Sequence, residues 1–164
     1  MSMIGNYAMV DPDIIEKVQE GILGIREVLY DEGGSGDEGG FLCIDKAWHA
    51  IHFTLTGTAF LGDSNDPLSK VVLHENLLVD EDVGYGPPMY LSAEEVEETS
   101  AALQAVSDDE FKAKFDLAAI RENEIYPGMD DEYAEEYVMA FFVDVKDFFA
   151  RAAEARKCVI FFVN

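Results

Sequence analysis

Basic residues are scarce in this sequence, which contains 11 lysines and arginines against 34 aspartates and glutamates and has a formal net charge of −23. Proteins that bind a nucleic-acid backbone need clustered lysine and arginine to neutralise phosphates. Attachment to anionic membrane surfaces relies on the same residues. We therefore exclude nucleic acid and membranes as partners. The acidity favours high solubility, and it permits a basic protein as a partner.

Long apolar runs and a secretory signal are also missing. No run approaches the ~18 residues that a membrane-spanning helix needs, and residues 1–10 lack the basic and apolar regions of a signal peptide. The only two cysteines, Cys43 and Cys158, lie far apart without metal-ligand spacing. We interpret them as reduced core residues of a cytoplasmic protein, with a disulfide between them left open.

Hydrophobic residues make up 49% of the 164 positions, which is enough for one packed domain over residues 1–164. Residues 1–10 alternate weakly and predict a strand, and the apolar run at 159–163 predicts a strand buried on both faces. We predict an α+β fold in which a small mixed or antiparallel sheet, including both terminal strands, packs with four or five helices. Helices are predicted over 11–29, 45–57 and 131–157 and after Ser92 and Ser107, and short strands over 71–73 and 77–79.

Start signals support several of these helices. Pro12 follows an aspartate that is typical of an N-cap, Asp45 occupies the same position in the second helix, and Ser92 begins a capping box with Glu95. Gly57 is expected to end the second helix. The glycine-rich acidic stretch at 31–40 lacks the ligand order of a calcium loop and the lysine of a phosphate loop, so we interpret it as a solvated loop.

The second predicted helix contains the only tryptophan, Trp48, and two of the three histidines. His49 and His52 are three residues apart and are therefore able to touch, as are Asp45 and His49 at a spacing of four. Two such imidazoles bind zinc when a third ligand comes from elsewhere, but no His-Glu-x-x-His motif is present. We expect no metal, with His49 and His52 as the candidate ligands if one were bound. The alternative is structural, with Trp48 and His52 packed in the core.

Two stretches of the sequence resemble nucleophile arrangements, but neither is complete. Residues 62–64 read Gly-Asp-Ser, as in one family of lipases and esterases, but no histidine follows His74 to serve as the base. Cys43 and His49 lack a nameable oxyanion donor and a third orienting group. The sequence therefore assembles no catalytic set, and we expect no cofactor.

A stiff aromatic segment connects the predicted short strands with the helix after Ser92. It contains Tyr85 and Tyr90 around two prolines. Segments of this kind line pockets, or they pin one element to another through aromatic burial. Both tyrosines are therefore candidate ligand-binding residues, together with Asp45, Trp48, His49 and His52.

Several segments together resemble the YfbM-like family of small bacterial proteins of unknown function. They are Asp-Lys-Ala-Trp-His at 45–49 with Leu-Thr-Gly at 55–57, Gly-Tyr-Gly-Pro at 84–87, residues 90–96, and the final helix and strand. The sequence departs from the family at 74–76, where small residues are expected. The resemblance implies a compact α+β domain, includes Trp48 and His49 in the family's pattern, and implies no particular activity.

Acidity and the lack of a catalytic set favour a cytoplasmic, non-enzymatic binding or interaction module. Its partner would be a basic protein, recognised by charge complementarity. The alternative is a small-ligand or metal-binding protein, or a hydrolase-type enzyme, with its site around Trp48, His49, His52 and Tyr85.

Overall fold

The computed structural model describes residues 2–30, 40–130 and 132–164. Its centre is a four-stranded antiparallel sheet with the strand order β2-β1-β4-β3. The strands are β1 (Gly5–Val10), β2 (Phe41–Cys43), β3 (Met89–Leu91) and β4 (Cys158–Val163). The two strands predicted near the ends of the sequence are thus hydrogen-bonded neighbours at the centre of the sheet, and the α+β class is confirmed.

The prediction of a strand buried on both faces is confirmed for β4, in which all six residues are buried. Side chains alternate between the two faces of a strand. Val159 and Phe161 belong to one hydrophobic cluster, and Ile160 and Phe162 belong to the other. Each face of the sheet therefore has its own core, and β4 contributes to both.

Helices cover both faces of this sheet unequally. Residues of α1 and α2 pack into the smaller cluster, and residues of α3 to α7 pack into the larger one. The described residues form α1 (Pro12–Gln19), α2 (Ile25–Tyr30), α3 (Trp48–Thr56), α4 (Ala93–Gln104), α5 (Asp108–Lys114), α6 (Leu117–Glu122) and α7 (Ala134–Glu154). These seven helices exceed the four or five predicted. The helix predicted over 11–29 is divided into α1 and α2, and the short helix α6 follows α5.

The predicted helix over 11–29 is interrupted after α1 by Gly21, whose φ of 75° lies in the left-handed region that ends helices. Asp11 does not cap α1 through its side chain, because its carboxylate accepts a hydrogen bond from Lys157. The capping box of Ser92 and Glu95 is confirmed. Of the predicted loop at 31–40, only residue 40 lies within the described residues. Asp131, the predicted start of the last helix, lies outside them.

The two short strands predicted over 71–73 and 77–79 were wrong. Val71 and Val72 are buried in the larger cluster without strand pairing, and Leu77 makes only an isolated bridge to Met89. The strand of this region lies later, at β3, because only there does the backbone run alongside β4.

The two cysteines are free, and Cys43 is exposed rather than part of the core. Cys43 pairs with Asn6 and Cys158 with Val10, at opposite ends of β1. Four residues of strand span about 13 Å, so the two sulfurs cannot form a disulfide in this fold. Among the described residues no helix is long and apolar enough to cross a membrane.

Candidate functional site

The helix predicted to carry the site starts three residues later than expected. Asp45 begins a 3₁₀ turn, Asp45–Ala47, and α3 follows it with Ala47 as N-cap. Asp45 is therefore not the cap of α3. Its φ of 48° is unusual for a residue other than glycine, and its carboxylate accepts a hydrogen bond from the Tyr137 hydroxyl at 2.7 Å. The predicted end of the helix is confirmed, because Gly57 has a φ of 75°.

His49 connects two backbone segments that follow different helices. Its Nδ1 accepts a hydrogen bond from the Tyr126 N–H at 3.0 Å, so the ring proton is on Nε2 and is donated to the Ala59 carbonyl at 2.7 Å. The side chain is only 8% exposed, and burial lowers its pKa. The ring is therefore neutral near pH 7 and has no free nitrogen.

His52 has the same arrangement one turn further along α3. Its Nδ1 accepts from the Leu73 N–H at 3.4 Å, and its Nε2 donates to the Phe60 carbonyl. Burial lowers the pKa of this ring too, with a smaller contribution from His49. A metal ion requires a free nitrogen lone pair, and neither ring offers one in this state. Across residues 2–30, 40–130 and 132–164, no group of three His, Cys, Asp or Glu side chains is placed to hold a metal.

The Trp48 side chain connects α3 with the residues that precede β1. Its indole N–H donates to the Met3 carbonyl at 3.1 Å, and its ring stacks on His49 and Tyr126 at centroid distances of 4.9 and 5.9 Å. A Cβ atom at Gly5 would approach the Trp48 side chain to 2.7 Å, so only glycine fits there. These contacts account for the tryptophan and both histidines of the helix through packing and backbone hydrogen bonds.

Tyr85 and Tyr90 lie apart from these rings. Tyr90 packs on the smaller cluster, across the sheet from Trp48, and its hydroxyl accepts from the Gln19 amide at 3.2 Å. Tyr85 is half-exposed, and its N–H donates to the Val163 carbonyl at 2.9 Å. Within the described part of the chain, neither tyrosine has a ring contact or hydrogen bond with the α3 histidines.

Asp45 instead lines a cavity of about 380 Å³ beside the start of α7. The Lys46 N–H donates to the Tyr137 hydroxyl oxygen at 3.1 Å, and that hydroxyl donates to Asp45. The lining residues are Asp45, Lys46, Pro127, Met129, Tyr133, Ala134 and Tyr137. The cavity thus combines a carboxylate and a hydroxyl with apolar and aromatic walls.

Tyr137 is the residue of this cavity that sequence reasoning missed, because it fits the apolar stripe of the last helix. The available signal was its hydroxyl, since a buried tyrosine generally needs a hydrogen-bond partner. Burial and the Asp45 carboxylate raise the Tyr137 pKa far above the neutral range. The hydroxyl therefore remains a donor near pH 7, and the pair suits binding better than proton abstraction.

This architecture defines a small α+β protein with a cavity lined by polar and aromatic side chains. The chain belongs to the family described as Domain of unknown function (DUF1877), whose model matches residues 1–162. The resemblance to YfbM-like proteins is thereby confirmed.

A curated relative and a solved structure agree with this assignment. Protein YfbM of Escherichia coli strain K12 is 35% identical over 131 residues, which cover 79% of this chain and 75% of that protein. The crystal structure of a protein of unknown function, YfbM from Escherichia coli, is similar to this chain, with a TM-score of 0.76 and 29% identity. That match covers 98% of this chain and 99% of the other.

Proposed function

We propose that this protein is a cytoplasmic, non-enzymatic binding module whose acidic helical surface recognises a basic protein. The carrying observation is a set of six exposed carboxylates that form no ion pair with any described residue. This acidic surface consists of Glu94, Glu97 and Glu98 on α4, Asp109 and Glu110 on α5, and Glu122 on α6.

The clustered glutamates of α4 reduce the stability of that helix, which supports a functional role for them. Glu94 lies three residues from Glu97 and four from Glu98, so like charges adjoin on one face of α4 and destabilise that helix. A lysine at either later position would stabilise the helix, yet the charges are uniform. Complementary charge speeds and orients association with a basic partner.

The experiment compares two variants with equal net charge. Glu97→Gln with Glu98→Gln neutralises part of the acidic surface, and Glu16→Gln with Glu20→Gln neutralises two exposed glutamates at α1, across the sheet. Each chain is used to capture proteins from a native lysate at low salt. We expect a basic protein that salt releases, that the α4 variant fails to retain and that the α1 variant retains.

Two results would contradict the proposal. One is that no basic protein is retained by the unmodified chain. The other is that both variants lose it equally, since net charge alone would then explain retention.

A second candidate function is small-ligand binding in the Asp45 cavity. It is favoured by the Asp45–Tyr137 hydrogen bond beside the aromatic and apolar wall formed by Met129 and Tyr133. Such a pocket suits a small arylalkylamine, whose ammonium group would contact the Asp45 carboxylate. Titration with 2-phenylethylamine, monitored by NMR, should shift resonances of the lining residues in the native chain and not in Asp45→Asn. Equal shifts in both chains would rule this site out.

A further inference from the structure

A second cavity, of about 230 Å³, lies within the stretch of residues 61–76 that follows α3. It is lined by the loop that follows α3, by the 3₁₀ turn Pro67–Lys70 and by residues 73–76. The volume equals roughly seven or eight water molecules at ~30 Å³ each. None of the interactions described for Trp48, His49 or Asp45 uses this space.

His74 presents a hydrogen-bond donor in this cavity. Its Nδ1 accepts from the Asn76 N–H at 3.3 Å, so the proton of the neutral ring is on Nε2. Burial lowers the pKa of His74 to about 4, which keeps the ring neutral near pH 7. The residue is 8% exposed, and its Nε2 has no hydrogen-bond partner among the described residues and is not sealed from solvent.

Ser69 supplies a second polar group of the same kind. It is 5% exposed, and its hydroxyl has no partner in the described part of the chain although it is not sealed. Gly62 lies close to this hydroxyl, since a Cβ atom at residue 62 would be only 2.5 Å from the Ser69 Oγ. Two side chains that are more than nine-tenths buried thus line one cavity with unused polar atoms.

The charges around the cavity nearly cancel. The Lys70 ammonium lies 3.2 Å from the Glu95 carboxylate, and the only other charged lining residue is the exposed Glu75. A free anion would therefore meet no uncompensated positive charge, within a chain of net charge −23. Leu61 and Leu73 add apolar surface. These features suit an uncharged ligand with many oxygen atoms and some C–H surface.

We propose that this cavity binds a neutral, hydroxyl-rich ligand of about monosaccharide size, with the His74 Nε2–H and the Ser69 hydroxyl as its principal hydrogen-bonding groups. Hydroxyl groups of such a ligand accept from His74 and either accept from or donate to Ser69. Lys70 has further N–H groups besides the one directed at Glu95, and Glu75 accepts at the rim.

The first test titrates the ¹⁵N-labelled chain at pH 7 with d-glucose, d-ribose and glycerol, and separately with inorganic phosphate as the anionic probe. The readout is the His74 ring nitrogen resonances. We expect at least one of the three neutral probes to shift Nε2 saturably. We expect Ser69→Ala to weaken that binding about fivefold, as the loss of one hydrogen bond predicts. Ser100→Ala, at an equally buried serine outside the cavity, should leave it unchanged.

Two substitutions of His74 separate the donor from the structural acceptor. Asparagine places its side-chain oxygen near the position of Nδ1 and removes the Nε2 donor, whereas glutamine places its N–H₂ near Nε2 and removes the acceptor for Asn76. His74→Asn should lose binding while remaining folded, and His74→Gln should bind but unfold more readily.

The proposal is overturned if none of the neutral probes binds, or if phosphate binds in their place. It is also overturned if Ser69→Ala binds as tightly as the unmodified chain. Because Ser69→Ala removes a single oxygen atom, this last result decides the matter even if both His74 variants fail to fold.

Discussion

Replacing His49 by phenylalanine tests whether this ring serves the fold. Phenylalanine keeps the aromatic contact with Trp48, but it leaves the Ala59 carbonyl and the Tyr126 N–H without their partners. Each unsatisfied buried group costs about 1–3 kcal/mol. Because Ala59 and Tyr126 are only partly buried, we take the lower half of the range for both. The expected loss in the free energy of unfolding is about 2–4 kcal/mol.

Equilibrium unfolding in urea measures this loss directly. Trp48 is the only tryptophan, so its fluorescence reports on the environment that the substitution perturbs. The control is Tyr30→Phe, at a side chain that is 43% exposed. It removes the hydrogen bond that the Tyr30 hydroxyl donates to the Val83 carbonyl at 2.8 Å and the one that it accepts from the Asn164 side-chain amide at 3.4 Å. If His49→Phe is no more destabilising than this control, the two backbone hydrogen bonds do not explain His49 and the reasoning is wrong.

Three further predictions follow from single contacts. Gly5→Ala should lower the free energy of unfolding by about 1–3 kcal/mol in urea, because its Cβ would approach Trp48 to 2.7 Å; a change near zero would show that the strand moves aside. Between pH 6.5 and 4 the unfolded chain protonates His74 while the folded chain, with a pKa of about 4, does not. As the pH is lowered over this range, His74 should therefore reduce the free energy of unfolding by about 3 kcal/mol. Urea titrations of His74→Gln should show a smaller reduction; an equal reduction would refute the lowered pKa of His74. Glu98→Lys should raise the midpoint of thermal unfolding, since replacing repulsion with attraction to Glu94 stabilises α4 by about 0.5–1 kcal/mol. Glu98→Gln should give about half that gain, and no gain in either would contradict the like-charge argument.

Local signals in the sequence predicted those parts of the fold that local physics decides. The capping box of Ser92 uses only neighbouring groups, Gly57 ends α3 through its own backbone conformation, and the β-forming run of β4 has no amphipathic alternative. These features require little from the rest of the chain, and they were predicted correctly.

The failures lie where distant residues decide. Asp45 resembles an N-cap in sequence, but Tyr137, 92 residues away, accepts the Lys46 N–H and donates to the Asp45 carboxylate. Likewise, the Asp11 carboxylate accepts a hydrogen bond from Lys157 and does not cap α1. Residues 71–73 have the composition of a strand but make no strand pairing with the described residues.

The candidate site was predictable only in part. The helix with Trp48 was identified, but its histidines bind backbone groups of loops whose course no periodicity specifies. Nothing in the sequence indicates that His74, Ser69 and Gly62 line the same cavity.

The central pairing of β1 with β4 has a consequence for how the chain folds as it is made. Gly5 is paired with Val163, so the sheet cannot assemble until almost all of this sequence has been synthesised. At ~5–20 residues per second, β1 waits roughly 10–30 s on the ribosome for its neighbour. During that time the helices have no sheet to cover, and their apolar faces are open to wrong partners. The strong negative charge of the chain makes incomplete chains repel one another during this time.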